Sequence, residues 1–206
     1  MVWLYLGMDS IKDNNDSKAK LFKKALIRSS DARAAGIHPA MLSYYEKKGI
    51  LERIGRGLYR NKQVAFDVTF EWEELVNNVL SIPHGVVTGI SALALYELTE
   101  EISRQHWIAV PNDTSIGKRP NVKIVRLRNH ELGVTKIKIG DAEVPIYDLE
   151  RTLVDAFRLL SVEAAIKALK EAFRPQRKQK PDLKKLADYA KQLRVKIDPY
   201  LLMVTT

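Results

Sequence analysis

IRSSDARAAGIHPAMLSYYEKKGILERIGRGLY, residues 27–59, holds the densest run of structural signals in this chain. Ser30 is placed to cap a short helix over Asp31 to Ala35, and Gly36 supplies the turn conformation that ends it. Ile37 points back toward a core. Pro39 stands at a first helical position, where a missing N–H costs nothing. The helix it opens runs from Pro39 to Lys48 and stops at Gly49. Leu51 and Ile54 then alternate with charged residues, and Leu58 with Tyr59 returns the chain after Gly55-Arg56-Gly57. Helix, turn, helix and basic hairpin in that order predict a helix-turn-helix with a wing, a device for placing one helix in the DNA major groove.

Spacing assigns the faces of the second of these helices. Leu42 and Tyr45 are three apart and face the core. Ala40, Ser43, Tyr44, Lys47 and Lys48 fall on the other side, with His38 just ahead of them. Ser43, Tyr44 and Lys47 are placed to meet base edges, beside His38 and Ala40. Lys48, Arg53, Arg56 and Arg60 are placed to neutralise phosphates, with Ser30 and Arg33 helping from the short helix. For any one of these cations alone, a solvated charge is the ordinary alternative.

Working outward, residues 1–16 read as an N-terminal arm, in which MVWLYLGM is apolar, and the polar, turn-rich DSIKDNNDS (9–17) leads out of it. Ser17 is placed to cap a first helix over Lys18 to Ile27, so the DNA-binding domain spans 17–62. Residues 63–206 form a second region. Phe70 to Leu80 and Ile90 to Leu98 have helical spacing, and Val86 to Thr88 is short and extended. Trp107 to Val110, Val122 to Leu127, Val134 to Ile139 and Ala142 to Ile146 read as strands. Asp148 caps a long helix, Val162 to Phe173 gives another, and Asp182 caps a last one over Leu183 to Leu193. Residues 174–181 read as a basic, proline-bounded linker. The expected fold class is α+β: an N-terminal winged helix-turn-helix, then a mixed α/β domain with a small sheet and several helices.

Charge is distributed unevenly along the 206 residues. The total is +9, with net +8 over residues 16–62, −4 over 63–173 and +6 over 174–206. The two basic stretches point to polyanion binding or, for the tail, to a solvated surface. There is no cysteine, which excludes disulfides, thiolate-bound zinc and thiol catalysis and fits a reducing cytoplasm. No apolar run approaches the roughly 20 residues needed to span a bilayer, and MVWLYLGM lacks the flanks of a signal peptide.

Two stretches together resemble the abortive-infection E antitoxin family (AbiEi), the antitoxins of type IV toxin–antitoxin systems in phage defence. In the first, Gly36, Ile37, Leu42, Gly49, Leu51, Arg53, Arg56, Gly57 and Tyr59 match the family pattern. Tyr45 departs from it, where leucine is common, as does the His38-Pro39 pair. The second stretch combines GVVTGISALALYELT (85–99), WIAVP (107–111) and YDLERTLVDAF (147–157), similar in order and spacing to the family's second domain. The resemblance implies that the winged helix binds inverted repeats in its own promoter and represses its operon. Because winged-helix repressors on inverted repeats often bind as pairs, a homodimer or cooperating monomers on DNA are expected. It also implies that the C-terminal domain counteracts a nucleotidyltransferase-like toxin without a stable complex. Arg151 and Asp155 lie on one turn of a helix, where a local salt bridge or a cap is the ordinary role and a share in antitoxin function the other reading.

Signals for catalysis are sparse. His38, His84, His106 and His130 show no metal-ligand spacing. Asp141, Glu143, Asp148 and Glu150 are close in sequence, yet Asp148 is accounted for as a cap and no lysine stands in the Glu-x-Lys arrangement that a restriction-like nuclease would require beside such a strand. No phosphate-cradling loop or other cofactor motif is present, so no cofactor, metal or enzymatic activity is expected. Two other readings stay open: a ligand-sensing regulator with no toxin partner, and a nuclease targeted to DNA.

Overall fold

A computed structural model of the chain describes residues 16–101 and 103–205. The N-terminal arm lies outside them except for residue 16. The structure is mixed α+β, with two small sheets and several helices, and divides into two compact units.

In the first unit, α1 covers residues 16–22. It starts earlier and ends sooner than its apolar spacing predicts. Asp16 is already helical and pairs with Lys20, so Ser17 lies inside the helix and does not cap it. Leu26–Arg28 is not helix but strand β1, antiparallel to β3 with Ile27 opposite Tyr59. Leu21, Phe22, Ala25 and Leu26 satisfy helical periodicity locally, but pairing with β3 satisfies the same backbone groups and buries Ile27 completely.

Helix α2 is Ser29–Ala34. Ser30 is therefore a helical residue; its hydroxyl meets the Asp31 carboxylate, and the helix starts at Arg28 without a side-chain cap. Gly36, at φ 71°, makes the turn into α3, Pro39–Lys47. An L side chain is strained at that φ, so glycine fits the corner. Strands β2 (Leu51–Gly55) and β3 (Leu58–Asn61) form an antiparallel hairpin, and the sheet order is β1-β3-β2. Leu21, Ile27, Ala32, Ile37, Leu42, Leu51 and Tyr59 make the core beneath these elements.

The unit does not stop at residue 62. Helix α4, Phe70–Ser81, packs on β2, and Lys138–Glu143 is counted with the same unit. There Asp141 accepts the backbone N–H of buried Ala25 at 3.0 Å, at the corner between α1 and β1.

The second unit is built on a five-stranded sheet of order β6-β5-β4-β8-β7. The strands are β4 (Val86–Val87), β5 (His106–Pro111), β6 (Val122–Leu127), β7 (Val134–Ile139) and β8 (Ala142–Tyr147). Strand β4 runs antiparallel to β5 and parallel to β8, and β5 is parallel to β6. Helices α5 (Gly89–Leu95), α6 (Leu149–Leu159), α7 (Val162–Ala172), α8 (Leu183–Leu193) and α9 (Asp198–Thr205) complete it. Leu93, Leu153, Ala165, Leu169, Leu186 and Ile197 share one core. Asp148 and Asp182 cap α6 and α8 as their sequence positions predict.

The basic stretch 174–181 is anchored rather than a free linker. Arg177 donates to the carbonyl oxygens of Tyr96 and Glu97, and Pro181 is buried. Helix α9 has no counterpart in the sequence reading, because its start at Asp198-Pro199 looks like a turn.

Candidate nucleic-acid interface

The candidate surface begins with one buried leucine. Leu42 is only 1% exposed, in the core of the first unit, and Tyr45 packs beside it with its ring edge-on to Phe22. With that side of α3 turned inward, helical geometry turns Ala40, Ser43, Tyr44, Lys47 and Lys48 outward, and all five are exposed. Tyr44 stands edge-on to Tyr45, which holds its base, and the Lys48 ammonium lies 5.7 Å from the Tyr44 ring. His38 caps the helix: Nδ1 accepts the Ala40 N–H at 3.3 Å, and the ring stays exposed. Its fixed role is thus to start α3.

Glycine at the hairpin turn decides where the second cluster of cations lies. The Gly57 carbonyl accepts the Ser29 N–H at 2.8 Å, tying the turn to the first residue of α2. A Cβ at Gly57, where φ is 69°, would sit 2.6 Å from the Ser29 hydroxyl, so no other residue fits without displacing that contact. Arg53 and Arg56 are exposed at this end of the hairpin, and Ser30 and Arg33 are exposed on α2. The structure therefore brings α2, α3 and the hairpin turn together as one unit's cationic, polar exterior.

Arg60 does not join it. Its Nε pairs with Glu73 at 2.9 Å, and Nη1 donates to the carbonyl oxygens of Ala25, Asn61 and Val64. The guanidinium also lies over the Phe66 ring, with the side chain only 15% exposed. Sequence gives no sign of this, because Ala25 lies at the corner before β1, Glu73 on α4, and Val64 and Phe66 in the segment after β3. Conversely, Arg28 is an exposed cation the sequence reading passes over. Once residues 26–28 are a strand with Ile27 inward, the next side chain must point outward.

Arg151 and Asp155 are both fully buried, and they belong to the framework of the second unit. Arg151 Nε binds Asp155 at 2.8 Å, and its Nη1 donates to the carbonyl oxygens of Asn129 and Leu132. Asp155 also receives Arg158. The pair staples the 129–132 turn to α6, so neither side chain is available to a partner in this conformation. The neighbouring carboxylates are occupied likewise: Asp148 caps α6 and meets Lys185 and Tyr189, and Glu150 accepts the Asp182 N–H and also meets Lys185. Among the described residues no group of three or more His, Asp or Glu could hold a metal ion, and no helix is long and apolar enough to cross a membrane.

Residues 19–62 match the family model described as transcriptional regulator, AbiEi antitoxin. The match runs from α1 through the β2–β3 hairpin and ends just before the turn that leads to α4. It takes in every residue of the exposed surface just described. A regulator of that family implies a DNA ligand for the matched segment. No curated protein matches the chain at a significant level.

Proposed function

We propose that the matched segment is a winged helix-turn-helix, and that the chain represses its own operon while serving as the antitoxin of a type IV toxin–antitoxin system. The observation that carries the DNA reading is the outward face of α3. Ala40, Ser43, Tyr44 and Lys47 are exposed opposite a leucine that is fully inside. In this reading α3 enters the major groove with Ser43, Tyr44 and Lys47 toward base edges. Arg33, Lys48, Arg53 and Arg56 meet phosphates on either side, and Arg28 extends that row. Phosphate contacts position the protein, and base contacts select the site.

The antitoxin half of the proposal rests on the family description of residues 19–62. The second unit would then act against a nucleotidyltransferase-like toxin without holding it in a stable complex. Its exposed surface, and not the buried Arg151–Asp155 pair, is where that action must be sought.

The test is a titration of the DNA upstream of the gene. With about five phosphates neutralised, log K should fall against log salt with a slope near −4.5. A slope close to zero, or equal affinity for scrambled DNA, would overturn the repressor reading. Growth rescue on co-expression with a neighbouring nucleotidyltransferase-like gene tests the antitoxin half separately.

A further inference from the structure

We infer that the second unit carries its own contact surface for the phosphodiester backbone of a nucleic-acid duplex, made by α8 and the segments flanking it. Lys178, Lys180, Lys184, Lys191, Arg194 and Lys196 are all exposed, and among the described residues none of the six forms an ion pair. The contrast lies within the same helix. Lys185, partly exposed, is held by Asp148 and Glu150 at 3.1 Å each, so on this helix the acidic partners go to one lysine.

Helical periodicity aligns the outward cations. Lys184 and Lys191 are seven residues apart, which places them on one side of α8 and about 10 Å apart along its axis. Arg194, in the left-handed conformation at φ 56°, ends the helix, and Lys178 and Lys180 come shortly before it in the chain. Leu186 and Ala190 occupy the buried side. Interaction with the C-terminal helix dipole accounts for Lys191, but not for Lys178, Lys180 or Lys184, which lie at the opposite end.

The character of the face narrows the partner. Single strands are held by stacking on aromatic side chains, and the aromatic residue of α8, Tyr189, is turned to Asp148 through its hydroxyl. A membrane surface calls for several bulky apolar side chains among the cations, whereas on α8 Leu183 is exposed at the first turn and Ala187 and Asp188 stand between Lys184 and Lys191. Exposed cations that form no ion pair among the described residues, with no stacking platform beside them, suit a duplex backbone. This surface is independent of α3, and its failure would leave the operator reading standing.

The test uses the full chain in an Arg53→Ala/Arg56→Ala background, which weakens the first surface. Lys184→Gln/Lys191→Gln is compared with Lys184→Arg/Lys191→Arg and with the unsubstituted background by fluorescence anisotropy across a salt series. The probes are a scrambled DNA duplex, an RNA duplex of equal length, and phosphatidylserine vesicles. The glutamine pair should flatten the salt slope on a duplex by about 2, while the arginine pair should match the background. Whichever duplex shows the flattening is the partner. An unchanged slope on both duplexes overturns the proposal, as does vesicle capture that only the glutamine pair abolishes. Because both lysines are exposed, the melting temperatures of all variants should agree.

Discussion

Helices α3 and α6 use the same chemistry in opposite directions. In α6 every side chain from Leu149 to Ala156 is buried, and its charges are paired inside the unit. In α3 only Leu42 is buried, and the polar and basic residues look outward with few internal partners. Arginine is therefore not a functional signal by type. Arg151 is a tie between secondary-structure elements, Arg56 is a charge on a turn with no ion pair among the described residues, and Arg60 is of the first kind although it stands four residues from Arg56. Which role an arginine takes is decided by the carbonyls and carboxylates the fold brings to it.

The sharpest way to break this comparison is Arg151→Met. It leaves the buried Asp155 with Arg158 alone, and it frees the Asn129 and Leu132 carbonyls. A loss of about 3–5 kcal/mol in chemical denaturation is expected, and a loss below 1 kcal/mol would show that the staple is dispensable. Next is Arg60→Met, expected to cost roughly 1.5–3 kcal/mol of stability through Glu73 and the three carbonyls. In the protein that remains folded, the salt slope of DNA binding should equal that of the parent. A flatter slope would return Arg60 to the phosphate set.

Tyr44→Ala and Lys47→Ala should do the reverse. Each should leave the melting temperature unchanged, weaken operator binding by roughly 1–3 kcal/mol and relax preference at one base position. Arg56→Ala should weaken binding to all sequences alike and flatten the salt slope by about 1. Gel shifts on matched and scrambled DNA separate these two patterns.

Alkali gives the mildest discrimination. Burial, then the Asp148 and Glu150 charges, pushes the Tyr96 phenol up to about 12, and burial raises Tyr147 and Tyr189 above their ordinary values as well. Groups raised in the folded state contribute stability that is complete below the unfolded value near 10 and is lost as pH climbs through the folded one. The melting temperature should therefore hold steady to about pH 10 and fall toward pH 12. Tyr96→Phe, which removes the ionisable group, should soften that fall.

Much of the candidate surface was legible because its determinants are local. Gly36, Pro39, Gly49 and Gly57 each mark a backbone event within a few residues of where it occurs, and the Leu42–Tyr45 spacing alone orients α3. Asp148 and Asp182 are legible as caps for the same reason. What could not be read depends on partners far along the chain. Strand β1 hides inside a helical apolar pattern because its pairing partner lies about thirty residues later, in β3. Arg60 resembles Arg53 and Arg56 until α4 supplies Glu73. The stretch 174–181 looks like a tether until Arg177 finds the carbonyls of Tyr96 and Glu97.

The bond from Asp141 to the Ala25 N–H carries a consequence for modularity. A polypeptide cut after Ser81 would contain α1 through α4, yet the amide at the bend between α1 and β1 would lose its acceptor while remaining shielded by its neighbours. Such an orphaned donor costs roughly 1–3 kcal/mol. The amino-terminal half is therefore not a cassette to be lifted out by severing the chain once; its last piece is supplied from residues 138–143.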